Sequence, residues 1–280
     1  MDTRLHFFLH LPRTAGTTLN AIIRDNFAPH EIFSVYSAEE YHRHREIRPA
    51  ALEGVRVIQG HLFLENYRPP RIYSRDVSVF TFLRDPVERL VSEYIFLKSW
   101  PQNHMYAYLN ENNIGFGDYV ESMEPRLVYR GKNFMTRFFS GEDFDVQSYP
   151  EQALRAAMHN LEHVFDFVGI QERFDESLLL LAEHLGLRSL CHEKRNVLAP
   201  ESRMTPDADA LALARERNAA DLVLYRFACD LFDRRVRERG ETFARKVREF
   251  ASLNARYQKM CRLITAELAG QQDGAILLPK

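Results

Sequence analysis

Residues Leu5 to Leu19 constrain the fold more than any other stretch of this 280-residue chain. Leu5 to Leu11 has the length and apolar content of a short buried strand, Pro12 to Gly16 is a turn of small residues, and Thr17 onward carries helical spacing. A strand that passes through a tight turn directly into a helix is the first half of a parallel βαβ unit. The first turn of that helix leaves backbone N–H groups unpaired, and the helix dipole favours an anion beside them. Thr14, Thr17 and Thr18 add hydroxyl donors, Arg13 adds a fixed charge, and the small residues Ala15 and Gly16 allow close approach of the backbone. The segment is not a Walker A loop, because the first Gly of that pattern is missing and no Lys follows Gly16. It reads either as a cradle for a phosphate-like group or as an ordinary strand-to-helix turn capped by Thr.

A second segment has the same layout. Val77 to Leu83 is a continuous apolar run, followed by Arg84-Asp85-Pro86-Val87-Glu88-Arg89-Leu90-Val91-Ser92. Pro86 suits the first helical position and Asp85 the N-cap before it. That places Arg84 at the carboxyl end of a strand, where open α/β sheets bind ligands. Arg84 offers a fork to a phosphate, and Ser92, two turns into the helix, offers a hydroxyl. The competing reading pairs Arg84 with Asp85 or Glu88 and leaves Ser92 as packing.

Together the two segments resemble the sulfotransferases that use 3′-phosphoadenosine 5′-phosphosulfate (PAPS), most closely the carbohydrate branch that includes the heparan sulfate 2-O-sulfotransferases. The family motifs P-K-T-[AG]-[GS]-T and R-D-P-x-x-R-x-x-S stand here as Pro12 to Thr17 and Arg84 to Ser92. The likeness is clearest over residues 5–98. The resemblance implies that residues 13–18 grip the 5′-phosphosulfate and that Arg84 and Ser92 grip the 3′-phosphate. It also implies transfer of a sulfuryl group to an acceptor hydroxyl, with 3′,5′-adenosine bisphosphate as the product and no metal. Arg13 stands where the family usually has Lys; it keeps the charge but is a poor proton donor. A non-catalytic 3′-phosphonucleotide-binding protein and a P-loop kinase-like phosphotransferase are the alternatives.

The expected base lies between the motifs. Val55 to Gly60 reads as a further strand ending in Gly60-His61. Imidazole is suited to taking a proton near neutral pH, although a single His after a strand is often structural. The resembled family places a His in such a Gly-His pair, which implies His61 as base with Arg13 beside the leaving group. The resemblance also implies a basic loop over the nucleotide, to which Arg195 is assigned.

Short apolar runs near 5–11, 55–60, 77–83 and 165–171 alternate with helical patterns near 17–26, 86–98 and 150–163. That alternation predicts a three-layer α/β/α, P-loop-like fold with a central parallel sheet. Residues 99–148 lack clear periodicity and read as loops and short helices walling the acceptor, with Asn133 and Arg137 one turn apart. Phe174 to Leu187 reads as a core-closing helix. Residues 207–238 and 241–268 read as two long helices broken at Gly240, giving an α/β domain over 1–205 and a helical extension over 206–280. Phe243, Phe250, Tyr257 and Ile264 recur every seven residues, a stripe that either forms a homodimer through 243–268 or docks on its own domain.

The formal net charge of −2 gives no global field for nucleic acid, although basic clusters lie at 42–48 and 68–75. The partner expected is a small-molecule or oligosaccharide acceptor. Three widely spaced cysteines, Cys191, Cys229 and Cys261, fit neither a disulfide scaffold nor a zinc site. No signal-peptide layout and no apolar run approaching ~20 residues is present. A cytoplasmic, bacterial enzyme, or a catalytic domain cut from a longer chain, is the expectation.

Overall fold

The computed structural model describes residues 4–37, 39–40, 52–62, 64, 76–128, 130–141, 150–193 and 205–274. Its centre is strand β1 (Leu5–Leu9), every residue of which is buried. Helix α1 (Gly16–Asn26) follows, then β2 (Ile32–Val35), β3 (Val57–Gly60), β4 (Val77–Leu83) and, much later, β5 (Phe167–Ile170). All pairings are parallel, and the sheet order is β2-β3-β1-β4-β5. The expected parallel α/β sheet with flanking helices is therefore present. β1 is central because both its edges are paired and both its faces are apolar, which is what a continuous run such as Leu-His-Phe-Phe-Leu requires.

The edge strand β2 was not expected. Among the described residues it pairs on one side only, to β3, and three of its four residues are half-exposed, so it lacks the apolar run that marks the inner strands. Between β4 and β5 lie α2 (Pro86–Ser99), α3 (Tyr106–Glu111), α4 (Phe116–Glu121), α5 (Phe134–Ser140) and α6 (Pro150–His163). Asp85 caps α2 by accepting hydrogen bonds from the N–H groups of Val87 and Glu88, as its place before Pro86 predicts. α2, α3 and α4 close over a second apolar cluster around Tyr94, Tyr119 and Leu109, apart from the main core beneath the sheet. The described residues of 99–128, in a stretch expected to be loops and short helices, thus share a small core with α2.

After β5 come α7 (Phe174–Leu185), α8 (Ala208–Arg217) and α9 (Ala219–Gly274). The helix expected over 207–238 is broken at Asn218. The Asn218 side chain donates to the carbonyls of Gly131 and Ala214 and accepts from the N–H of Asn133. A side chain bonded to backbone in this way competes with helix continuation. The expected break at Gly240 is present, with φ 64° and ψ −166° inside α9. The seven-residue stripe divides: Phe243 and Phe250 are buried in the main core, whereas Tyr257 is half-buried and Ile264 exposed. Cys191, Cys229 and Cys261 are free and half-buried. Among the described residues no helix is long and apolar enough to cross a membrane.

Candidate active site

The carboxyl ends of the parallel strands open into a cleft of about 1440 Å³. Arg13, Ala15, Gly16, Thr17, Thr18, His61, Arg84 and Ser92 all line it. Residues more than 70 positions apart in sequence converge because β1, β3 and β4 are neighbours and each turns out of the sheet at the same end. Arg195 and the basic clusters at 42–48 and 68–75 lie outside the described residues.

The loop after β1 is wound tightly. Arg13 (φ 70°) and Ala15 (φ 62°) both adopt left-handed backbone, a costly conformation for residues with a Cβ. Turns of that hand aim successive N–H groups into one concavity, as anion nests do. One expectation needs correcting. Thr14 is fully buried and its hydroxyl donates to the Leu11 carbonyl at 2.7 Å. That hydroxyl therefore holds the turn together and faces away from the cleft, leaving Thr17 and Thr18 as the hydroxyls on the cleft wall.

Arg13 and Ser92 meet directly: the Arg13 Nε–H donates to Ser92 Oγ at 3.1 Å. The same guanidinium lies on the face of Phe96, 4.6 Å from the ring centroid. Arg84 donates to the Arg13 carbonyl at 3.5 Å and sits 3.6 Å from Glu88. Both contacts are long, so among the described residues Arg84 is held near the loop without a close partner consuming its charge. Of the competing reading, which paired Arg84 with Asp85 or Glu88, the long Glu88 contact is present, whereas the Asp85 carboxylate is engaged by the helix N-terminus.

His61 is exposed toward the cleft, while the protein behind it removes enough water to hold its pKa below the usual imidazole value. Burial is the main cause, opposed by the hydrogen bond to His10. That bond fixes the proton. His61 Nδ1 lies 3.0 Å from the His10 carbonyl, which can only accept, so Nδ1 carries the hydrogen and Nε2 is left with a lone pair. The preceding Gly60 is required by packing: a Cβ there would sit 2.1 Å from the Val35 carbonyl, the same oxygen that accepts the His61 N–H at 3.0 Å.

His10 was not singled out by the sequence, where it is simply the residue after an apolar strand. Its ring is stacked on Phe8 at 5.2 Å, tilted against His61 at 4.6 Å, and bonded through Nδ1 to the Tyr36 hydroxyl at 3.2 Å. Burial, then the proximity of His61 and Arg13, keep its pKa well below the ordinary value. The ring also occupies the space next to Gly16: a Cβ at that position would lie 1.7 Å from His10 Nε2. Gly16 is thus needed first for contact with protein and only then for approach of a ligand.

The other arginine of the second motif has a different task. Arg89 is 1% exposed and pairs with Glu93 at 2.7 Å; Arg130 reaches the other Glu93 oxygen at 2.6 Å. Burial alone would push the Glu93 carboxyl up, but Arg89 and Arg130 together hold it below its usual value. Its stabilising contribution is therefore present at neutral pH and is lost as pH falls through the depressed pKa. Glu93→Gln leaves Arg89 buried with its charge uncompensated, and an unfolding titration is expected to show a loss of about 3–5 kcal/mol.

Asn133 and Arg137, expected to share a face, separate. Arg137 lines the cleft, but the Asn133 carboxamide oxygen accepts from the N–H groups of Ala220 and Asp221. Asp221, fully buried, accepts from the N–H groups of Met135 and Thr136 in return.

A galactose-3-O-sulfotransferase family model matches residues 5–277. The mouse galactose-3-O-sulfotransferase 3 is 27% identical over 275 residues, 91% of this chain and 62% of the relative. The human uronyl 2-sulfotransferase is 28% identical over 173 residues, covering 54% of this chain and 41% of the relative. Among solved structures, a sulfotransferase from Alicyclobacillus acidocaldarius aligns over 79% of this chain and 96% of its own, with 16% identity and a TM-score of 0.39. The chain spans about three-fifths of the length of the mouse relative. Because the family match runs from the first strand through the last helix and takes in the whole cleft, the protein belongs to the galactose-3-O-sulfotransferase family.

Proposed function

We propose that the protein transfers a sulfuryl group from PAPS to a hydroxyl of a galactosyl acceptor. The observation that carries this is the convergence of Arg13, Arg84 with Ser92, and His61 in one cleft. The family match favours a galactosyl acceptor over a heparan-type one. The residues fit the nucleotide's chemistry. An N–H-rich loop with two left-handed residues suits one anionic group, and an arginine held by only long contacts suits a second.

When bound, PAPS supplies the activated sulfuryl group and the 5′-phosphate that departs. The N–H groups of the loop and the Arg13 guanidinium stabilise charge at the 5′ end; Arg13 acts electrostatically, since its proton is not given up. Arg84 and Ser92 fix the 3′ end, and so the position of the reacting centre. His61 Nε2, with Nδ1–H anchored on the His10 carbonyl, takes the acceptor hydroxyl proton.

Calorimetric titration with 3′,5′-adenosine bisphosphate, beside ADP and AMP, tests the reading. Clear preference for the bisphosphate is expected, and a preference for ADP would overturn it. Arg84→Ala is expected to weaken the bisphosphate about 10- to 100-fold, the loss of one charge-assisted contact of ~1.5–3 kcal/mol, while leaving AMP nearly unchanged. Equal weakening of both nucleotides would remove Arg84 from the 3′-phosphate site.

A further inference from the structure

We infer that Trp100 is the platform on which the sugar ring of the acceptor stacks, with Asn103 and Arg126 supplying donors beside it. The inference rests on the sulfotransferase reading and assigns the part of the cleft wall which that reading leaves without a role. Trp100 is the chain's only tryptophan, it lines the cleft, and it is 46% exposed. So large an apolar ring is ordinarily covered, and an exposed one in a cleft wall marks a contact surface.

The backbone at Trp100 is fixed: its main-chain N–H donates to the Phe96 carbonyl at 3.2 Å, and its carbonyl accepts from the main-chain N–H of Asn103 at 2.9 Å. Its ring packs on Phe96, with centroids 5.2 Å apart, and Phe96 in turn carries the Arg13 guanidinium. Ser92 and Phe96, four residues apart, share one side of α2, and Trp100 follows as its C-cap just past the last helical residue. At 1.5 Å per residue, the platform lies ~12 Å along the axis from the hydroxyl that meets Arg13. One side of a rigid helix therefore runs from the phosphate grip to an aromatic surface.

The polar neighbours suit a sugar. Asn103 Oδ1 accepts from the Met105 N–H at 2.8 Å, which leaves its amide NH₂ as the remaining donor. Arg126 is fixed by Glu124 at 2.6 Å and lies over the Tyr108 ring at 5.2 Å. A galactosyl ring has one face on which several C–H bonds cluster, because its axial hydroxyl points to the other side. Those weakly positive hydrogens match the negative face of an indole, and the ring hydroxyls at its rim match the Asn103 and Arg126 donors.

Trp100 is its own reporter, being the sole indole. In the protein saturated with 3′,5′-adenosine bisphosphate, lactose is expected to shift the emission maximum to shorter wavelength, saturably. Trp100→Ala is expected to raise KM for lactose tenfold or more, with kcat and the bisphosphate Kd unchanged; Trp100→Phe recovers most of the loss. A wild-type KM in Trp100→Ala overturns the platform. So does a weakened bisphosphate Kd, which would place the nucleotide base on the indole. A wild-type protein that neither binds the bisphosphate nor sulfates lactose defeats the sulfotransferase reading itself, and the platform with it.

Discussion

His61→Ala is expected to lower the turnover number by about 10²- to 10⁴-fold, the range that a positioned general base contributes. Affinity for 3′,5′-adenosine bisphosphate should stay within error of the parent, because the phosphate contacts proposed above are made by the β1–α1 loop, Arg84 and Ser92. The two readouts separate chemistry from binding. A variant with parental turnover would remove His61 from the mechanism, and one that lost the nucleotide as well would make His61 a structural support of the loop. The pH profile gives a second check with a definite sign. A base works when deprotonated, and the His61 pKa is lowered from its ordinary value. Activity should therefore be fully present at neutral pH, and its acid limb should fall below about 6.5, where an unperturbed imidazole would titrate.

Gly16→Ala is expected to damage both the phosphate loop and the base with one methyl group. The new Cβ would meet three atoms of the His10 ring at 1.7, 2.0 and 2.4 Å. The ring cannot step aside, since it lies between Phe8 and His61 and is bonded to Tyr36. Overpacking of this kind costs about 1–3 kcal/mol. The strain falls on α1's first turn and on the carbonyl that fixes the His61 proton, so nucleotide affinity and turnover should both fall. The test is a double-mutant cycle with His10→Ala. If the collision is the cause, Gly16→Ala should cost markedly less in the background lacking the ring. Equal cost in both backgrounds would mean that Gly16 matters through the ligand alone.

What the sequence disclosed follows from how local each feature is. The apolar runs of β1 and β4, the cap at Asp85 and the break at Gly240 are properties of a few adjacent residues, and all are found where their residue types place them. β2 escaped because an edge strand needs little apolar character. The roles of Arg84 and Arg89 could not be told apart by spacing. The buried partner of Arg89 is on its own helix, but the second arginine, Arg130, arrives from 37 residues beyond Glu93. His10 is silent in the sequence for a related reason. Nothing near it in sequence shows that it will fill the hollow under Gly16 and hold the base. Trp100 sits just past the end of a helix, in a stretch without periodicity, where only the shape of the cleft gives it meaning.

The reciprocal caps between α5 and α9 bear on how the molecule is made. Asp221 supplies the acceptors for the first N–H groups of α5, and Asn133 supplies those for the start of α9, across 85 to 88 residues of chain. Neither helix end is satisfied until both segments exist. On a ribosome adding about 5–20 residues per second, the segment carrying Arg137 waits several seconds for the residues that complete it. The first four strands and the phosphate loop precede this segment in the chain, and the cleft gains this wall only once residues 220 and 221 have been made. A chain stopped short of residue 218 would hold every residue of both phosphate motifs and still lack a finished site.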